Sequence, residues 1–476
     1  MITLGVNISN YLLNLFGKEY LDRYREYIET DPTYFLRISP FEDETGIVDS
    51  LKKYGVELEP IEKIPLAYKI ISGYSFAGKT LEFALGKYYI QSLSSMIPPL
   101  VLAPTENDVV LDLCAAPGSK STQLSELMRN KGTLYSNEIS VKRLASLVHN
   151  FEKMRATNVG VIQYKGELLS KVYENYFDKI LVDAPCSALG IVQKKGEVSN
   201  WWNEKQMSKI AELQLRLLIS AIKMARVGGE IVYSTCTLTV EENEYVINKV
   251  LEKYPVEILD VELPVKSVDG LTEIFGKELN PEVRKSRRII PWEIDSEGFF
   301  IAKLKKTGKT EPTRKDRYKH KDVKILSANN SVVKETLRKV EDRFGVPFDE
   351  LKKYKYILNG KDIFFIGADW SEETIEVFNR IGLKFGRFDK RGNPQLTSQA
   401  AQLFGKLITK NLIELKKKED AEVYFGGGKI RGYETSAGQK IVKYKNYVLG
   451  AAIAVEDGLK SQFPRSLRTG NIIIKE

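Results

Sequence analysis

Histidine and cysteine are almost missing from this chain of 476 residues: two histidines, His149 and His320, and three cysteines, Cys114, Cys186 and Cys236. An odd number of widely spaced cysteines excludes a disulfide framework. So few His and Cys also leave no set for a tetrahedral zinc site, and no metal is expected. No two cysteines form a Cys-x-x-Cys pair, which argues against a thiol redox enzyme. Long apolar runs are missing as well. The best candidate, "SMIPPLVLAP" (95–104), holds three prolines and falls short of the roughly 18 apolar residues of a membrane span. The N-terminus carries no basic segment before its apolar part and reads as a helix rather than a signal peptide. The expectation is a cytoplasmic, monomeric protein that does not meet a membrane.

What the chain has in excess is positive charge. It holds 72 Lys and Arg against 63 Asp and Glu, a net charge of +9 with a pI near 9.0. Such an excess is compatible with a nucleic-acid partner, but many soluble proteins share it.

The length suggests two to four domains, at roughly 100–200 residues each. Residues 1–75 read as a small α/β domain, with strands at 33–39 and 56–61 around a helix at 44–55 ended by Gly55. Residues 76–306 alternate apolar strands with helices. Strand runs fall at 108–113, 132–138, 179–184 and 230–236. Helical spacing covers 120–132, 141–156 and 204–229, the last ending in two glycines. Strands with little polar alternation, joined by helices, predict a parallel sheet covered on both faces. Residues 307–325 lie in a Lys/Arg-rich stretch that reads as a linker able to touch phosphates, and "RKSRR" (284–288) is a second basic cluster. Residues 326–476 begin helical and turn into short, glycine-punctuated strands. There, "FGGGKIRGY" (425–433) reads as a glycine-rich β-turn in preference to a stretch that approaches a phosphate backbone.

Four constellations carry chemistry. In "LDLCAAPGSKSTQL" (111–124) a strand ends at Leu113, Pro117 and Gly118 turn the chain, and a helix begins. This brings backbone amides to a ligand at a helix N-terminus. "GSKST" is not a phosphate loop, because Gly118 and Lys120 are not adjacent and the earlier glycine is missing; the dinucleotide fingerprint is missing too. Glu138 ends the next strand, where a carboxylate either holds a ribose or is an ordinary strand-end acid. "LVDAPCSALG" (181–190) delivers Asp183 and Cys186 from another strand end. "VYSTCTLTVEENEY" (232–245) delivers Cys236, followed by an acidic cluster. A lone cysteine is usually a small apolar residue. All three cysteines of this chain fall at the carboxyl ends of strands, where open α/β sheets bind ligands.

"DLCAAPGSKST", "DAPCS" and "YSTCT…EEN" together resemble the Nol/Nop/Sun family of RNA cytosine-5 methyltransferases. The likeness runs from about residue 85, through "YYIQSLSSMIPP" (88–99), to "EGFFIAKLKK" (297–306). It implies a Rossmann-like class I methyltransferase core with S-adenosylmethionine as cofactor. Cys114, Ala115, Ala116, Pro117, Gly118, Ser119 and Lys120 would wrap the cofactor's amino-acid end, and Glu138 the ribose hydroxyls. Asp183 would lie beside cofactor and pyrimidine and contact the base near N3. Cys236 would be the nucleophile, and Cys186 would help release the product. The chemistry explains the thiols: carbon 5 of cytosine is a poor nucleophile until a thiolate adds at carbon 6. The base must also be unstacked to be reached.

The N-terminal part resembles the family's small RNA-binding domain in layout. "LGAAIAVEDGLKSQFPRSLR" (449–468) resembles the C-terminal, PUA-like RNA-binding domain of the bacterial small-subunit rRNA members. That favours rRNA slightly over tRNA as the partner. Two departures stand out. Lys165 in "VIQYKGELL" occupies the place of the family's adenine-contacting aspartate, with Glu167 nearby, and Ala188 replaces a glycine after Cys186. Lys194, Lys195, Trp201 and Trp202 either contact the target strand or, for the tryptophans, fill the core. A silent RNA-binding protein that kept the fold stays open because of Lys165. A DNA enzyme would use Cys186 as nucleophile and needs a Glu-Asn-Val element that is missing here.

Overall fold

The computed structural model describes residues 4–313, 324–371 and 378–475. The middle of the basic linker, 314–323, and the side chain of Trp201 lie outside the described residues. Among the described residues no helix is long and apolar enough to cross a membrane.

A 24-residue helix, α1 (Val6–Glu29), opens the described chain and is kinked at Gly17, whose φ is 83°. A four-stranded antiparallel sheet follows, in the order β2 (Glu57–Pro60), β3 (Ala67–Ser72), β1 (Tyr34–Ile38), β4 (Tyr88–Ile90). Helix α2 (Glu44–Lys53) covers it, with Glu44 in its first turn and Lys52 and Lys53 in its last, matching the helix dipole. Gly55 follows in the left-handed region at φ 77°. Two features depart from a unit closed at residue 75. The sheet takes β4 from beyond it, and α1 packs elsewhere: Ile8, Leu12, Leu21 and Tyr24 share a core cluster with Leu189, Val192, Trp202 and Leu238.

The central sheet has β9 (Ala225–Thr235), β8 (Phe177–Asp183), β5 (Val109–Asp112), β6 (Thr133–Asn137) and β7 (Val159–Ile162) side by side and parallel. Phe299–Lys306 adds antiparallel to β9. Alternate residues feed two cores. Leu111, Ile180, Val182, Ile231 and Tyr233 point to one face, and Val110, Leu134, Leu181 and Val232 to the other. That is why these strands read as continuous apolar runs. At the far edge Phe378–Ile381, from the C-terminal region, pairs antiparallel with β7 and closes an edge that would otherwise be open.

One element differs from its sequence reading. The long helix spans Glu204–Met224, and Ala225 already begins β9. The glycines do not cap the helix. A Cβ at Gly229 would lie 3.1 Å from the carbonyl oxygens of Phe177 and Asp178, where the β8–β9 register shifts. The glycines serve a bulge and a close backbone approach, which local spacing does not distinguish from a helix stop.

In the C-terminal region a short strand, Leu326–Ser327, precedes a helix, Ser331–Phe344, capped by Asn330. Two five-stranded sheets follow. The first ends with Leu383–Phe388 and Pro394–Leu396; the second pairs Leu412–Leu415 parallel with Gln439–Tyr444.

Candidate active site

The loop after β5 turns through a cis Ala116–Pro117 bond into the helix Ser119–Leu127. Gly118 has φ 112°, and a Cβ there would lie 3.1 Å from Leu147, so glycine is required twice over. The helix Val141–Met154 holds this loop from behind. Asn150 Nδ2 donates to the Pro117 carbonyl at 2.8 Å, and Arg143 reaches the Ala116 carbonyl. Beside the loop, Asp112 is 1% exposed. Its Oδ2 accepts from Ser121 at 2.6 Å, while its Oδ1 has no partner among the described residues. Burial pushes its carboxyl up to about 7, against the Ser121 hydrogen bond. Cys114 is half-buried, and desolvation together with Asp112 pushes its thiol up.

Glu138, at the end of β6, is buried. One carboxylate oxygen accepts from the Ser140 amide at 2.8 Å, and the other pairs with Arg143 at 3.3 Å. Small residues at 115 and 116, a glycine at 118, the buried Glu138 and an orphaned acceptor on Asp112 make a cradle. Its acceptors fit S-adenosylmethionine, a ligand with an ammonium at its amino-acid end and two ribose hydroxyls, all of them donors. Beyond β7, Lys165 is exposed and Glu167 half-buried.

The remaining predicted residues converge. Lys120, 8% exposed, sets its Nζ 2.7 Å from Asp183 Oδ2 and 2.9 Å from Ser95 Oγ. Burial works against its charge, but the Asp183 carboxylate outweighs it and holds the ammonium above its usual value. Ser234 Oγ donates to the other Asp183 oxygen at 2.9 Å. Cys186 and Cys236 are both free thiols, with their sulfurs 3.0 Å apart. The contact with Cys236, followed by burial, raises Cys186 well above an ordinary thiol.

The acidic cluster after Cys236 is not solvated. Glu242, Asn243 and Glu244 are 0% exposed. Glu242 accepts from the Ser187 amide, from Gln214 Nε2 and from Thr239 Oγ1, each at 2.9 Å. Its carboxyl is raised by burial, against these donors. Asn243 accepts from Thr235 at 2.6 Å and donates to the Thr237 carbonyl at 3.1 Å, on either side of Cys236. Glu244 accepts from Nε and Nη2 of Arg288, whose Nη1 donates to the Leu238 carbonyl. From outside the sheet, Tyr11 OH donates to Glu241 and accepts from the Val240 amide, and Tyr24 OH donates to the Leu189 carbonyl. Every polar group in this cluster sits where it fixes one of the two cysteine loops.

Residue patterns alone missed several of these partners. Glu242 left a trace, since four consecutive polar residues, 241–244, stand between Val240 and Tyr245. Tyr11, Ser95, Arg143 and Ser234 left none. Trp202, considered above for target contact, is 3% exposed and stands edge-on to Tyr11 at 5.3 Å; it is core. Lys194 pairs with Glu297 at 3.2 Å, and Lys195 is exposed.

A doubly wound sheet with a cofactor cradle after its first strand and paired thiols after its last two parallel ones is a class I methyltransferase core. The family model of the 16S rRNA methyltransferase RsmB/F matches residues 99–305. Ribosomal RNA small subunit methyltransferase F of Aeromonas hydrophila is 32% identical over 83% of this chain and 82% of its own length. The tRNA (cytosine(49)-C(5))-methyltransferase of Pyrococcus abyssi is 36% identical over 57% of this chain and 87% of its own. The human 28S rRNA (cytosine(4447)-C(5))-methyltransferase is 34% identical over 63% of this chain, which spans only 38% of that protein's length. A methyltransferase homolog from Pyrococcus horikoshii superposes with a TM-score of 0.56 at 32% identity, over 62% of this chain and 93% of that one. The chain belongs to the RsmB/F family of RNA cytosine-5 methyltransferases, whose methyl donor is S-adenosylmethionine.

Proposed function

We propose that this protein methylates carbon 5 of a cytosine in RNA, with small-subunit rRNA as the substrate. The observation that carries the reading is the pair of free thiols 3.0 Å apart, beside the Lys120–Asp183 ion pair, at the carboxyl ends of β8 and β9. Cys236, as thiolate, adds to carbon 6 of the extruded base and makes carbon 5 nucleophilic. When bound, S-adenosylmethionine would supply the electrophilic methyl group for carbon 5, the broken bond being its methyl–sulfonium bond and S-adenosylhomocysteine the leaving group. A base must then remove the carbon 5 proton, after which the carbon 6–sulfur bond breaks and the Cys236 thiolate leaves. Cys186, the only other thiol at this place, assists that release. Both oxygens of Asp183 already accept, from Ser234 and from Lys120. Asp183 therefore presents an acceptor, suited to the cytosine 4-amino group more than to N3.

The loop Cys114–Lys120 would hold the cofactor's amino-acid end and Glu138 its ribose. The adenine amino group needs an acceptor, which Glu167 can provide and Lys165 cannot. The rRNA assignment is supported by the small-subunit rRNA relative that is similar over 83% of this chain and by the 16S rRNA methyltransferase family model over residues 99–305.

The test is methyl transfer from labelled S-adenosylmethionine to isolated rRNA and to total tRNA, with bisulfite sequencing, for the wild type and Cys236→Ala. New 5-methylcytosine in rRNA that disappears with Cys236→Ala is the expected result. Modification of tRNA alone overturns the substrate, and transfer that survives Cys236→Ala overturns the nucleophile.

A further inference from the structure

A second cavity, of about 250 Å³, lies far along the chain from the cysteine loops, where both C-terminal sheets meet the helix Val141–Met154. Its walls are built of amides. Gln439 is saturated: its Oε1 accepts from the Leu396 amide at 2.9 Å, and its Nε2 donates to the Leu396 carbonyl at 2.9 Å and to Gln462 at 2.6 Å. It behaves as a strand partner and stiffens the wall. Gln399 is different. It is 5% exposed, lines the cavity, and its Nε2 has no hydrogen-bond partner among the described residues. Buried amide nitrogens in native proteins are rarely left unpaired, so a water or a ligand group is needed to answer this one. Gln395, half-buried on the adjoining strand, makes no side-chain hydrogen bond among the described residues either.

The charge at this cavity is positive. Its one lining acid, Glu152, is held by Arg380 at 2.8 Å. Lys384 lines it as well but is paired with Asp362 at 2.8 Å, so the uncompensated charge is that of Arg387, which is exposed with no ion pair among the described residues. A glutamine amide offers a donor and an acceptor side by side, which matches the N6/N7 edge of adenine. A cation at the mouth suits the attached phosphate. The volume falls below that of typical cofactor sites and admits one flat ring system.

We infer that this cavity takes a single unpaired adenine nucleotide of the RNA substrate, with its base edge on Gln399 and Gln395 and its phosphate on Arg387. The inference rests on RNA being the substrate. It adds an anchoring point on the same helix that, through Asn150 and Arg143, supports the cofactor loop and Glu138.

The test measures binding of short oligoadenylate and oligocytidylate to the full chain by fluorescence anisotropy at fixed salt. It compares wild type, Gln399→Leu, Arg387→Ala and Cys236→Ala, alongside methyl transfer to small-subunit rRNA. Oligoadenylate should bind more tightly than oligocytidylate. Gln399→Leu should remove that preference, about a tenfold change. Arg387→Ala should weaken both oligomers, Cys236→Ala should leave oligoadenylate binding unchanged, and both cavity variants should raise KM for rRNA with kcat kept. Unchanged binding in Gln399→Leu and Arg387→Ala overturns the inference. Should Gln399→Leu fail to fold, the exposed Arg387→Ala and the half-buried Gln395→Ala decide alone. Oligomer binding that behaves as expected, with no methyl transfer by the wild type, overturns the function and leaves the cavity standing.

Discussion

The two cysteine loops lie side by side and are held in opposite ways. The loop after β9 is braced largely by its own next residues: Asn243 ties Thr235 to Thr237 across Cys236, and Glu244 fixes Leu238 through Arg288. The loop after β8 takes its main side-chain constraints from elsewhere. Glu242 holds the Ser187 amide, Gln214 the Pro185 carbonyl, Tyr24 the Leu189 carbonyl, and the Gly190 amide donates to the Cys236 carbonyl. The thiol read as the nucleophile thus sits on the self-supporting loop. The thiol read as assisting release sits on a loop whose position reports the state of α1 and of its neighbour. Enzymes hold reacting groups to a fraction of an ångström, and here one loop serves as the reference for the other.

The strongest test of this contrast is to remove each thiol. Cys236→Ala should lower methyl transfer by at least about a thousandfold and abolish any covalent RNA adduct seen on denaturing gels. Cys186→Ala should keep the adduct and accumulate it. Equal loss of adduct in both variants would erase the functional distinction between the loops.

The next effect concerns the link between them. Glu242→Ala leaves the Ser187 amide and Gln214 without their acceptor in a buried site. It should cost about 2–4 kcal/mol in unfolding free energy, measured by denaturant titration. Glu242→Gln gives a cleaner reading by pH. Burial raises the folded carboxyl above its unfolded value, about 4.3. The folded state therefore binds the proton more tightly, and stability falls as pH rises through the window from about 4.3 upward. Glu242→Gln should flatten that slope. A slope unchanged by the substitution assigns it elsewhere.

A smaller effect separates the loops by their dependence on α1. Tyr24→Phe removes one buried hydrogen bond, worth about 1 kcal/mol. It should lower kcat and slow adduct release while adduct formation is kept, because it loosens only the Cys186 side. Tyr11→Phe should slow adduct formation instead. The smallest change is Ala188→Gly. Ala188 sits at φ 63°, where a Cβ is strained. Glycine should relieve no more than about 1 kcal/mol, and thermal melting should rise slightly or stay level.

Much of the chemistry could be read from local pattern, because strand ends, turn residues and cysteines carry it within a few neighbours. β5, β6 and β8 announced themselves as apolar runs, and Gly118 as a turn. The end of the helix at Met224 could not be read that way, since Gly228 and Gly229 answer to the β8 register and not to their own helix. The partition at residue 75 was similarly hidden. Whether α1 covers the sheet that follows it or a loop some 180 residues away depends on packing between segments with equally apolar faces. The lone Lys165 and the pair Trp201–Trp202 were ambiguous for the same reason, and Trp202 became core only once Tyr11 was beside it.

By itself, then, the amino-acid sequence determined the parallel sheet, the turn at Pro117–Gly118 and the presence of three thiols at strand ends. Each of these follows from side-chain period and backbone preference over short distances. Only the tertiary structure decided that two of those thiols touch, that Lys120 turns to Asp183, and that the acidic run after Cys236 is buried as a brace. Those outcomes depend on hydrogen bonds between residues 50 to 230 positions apart, which no local preference encodes.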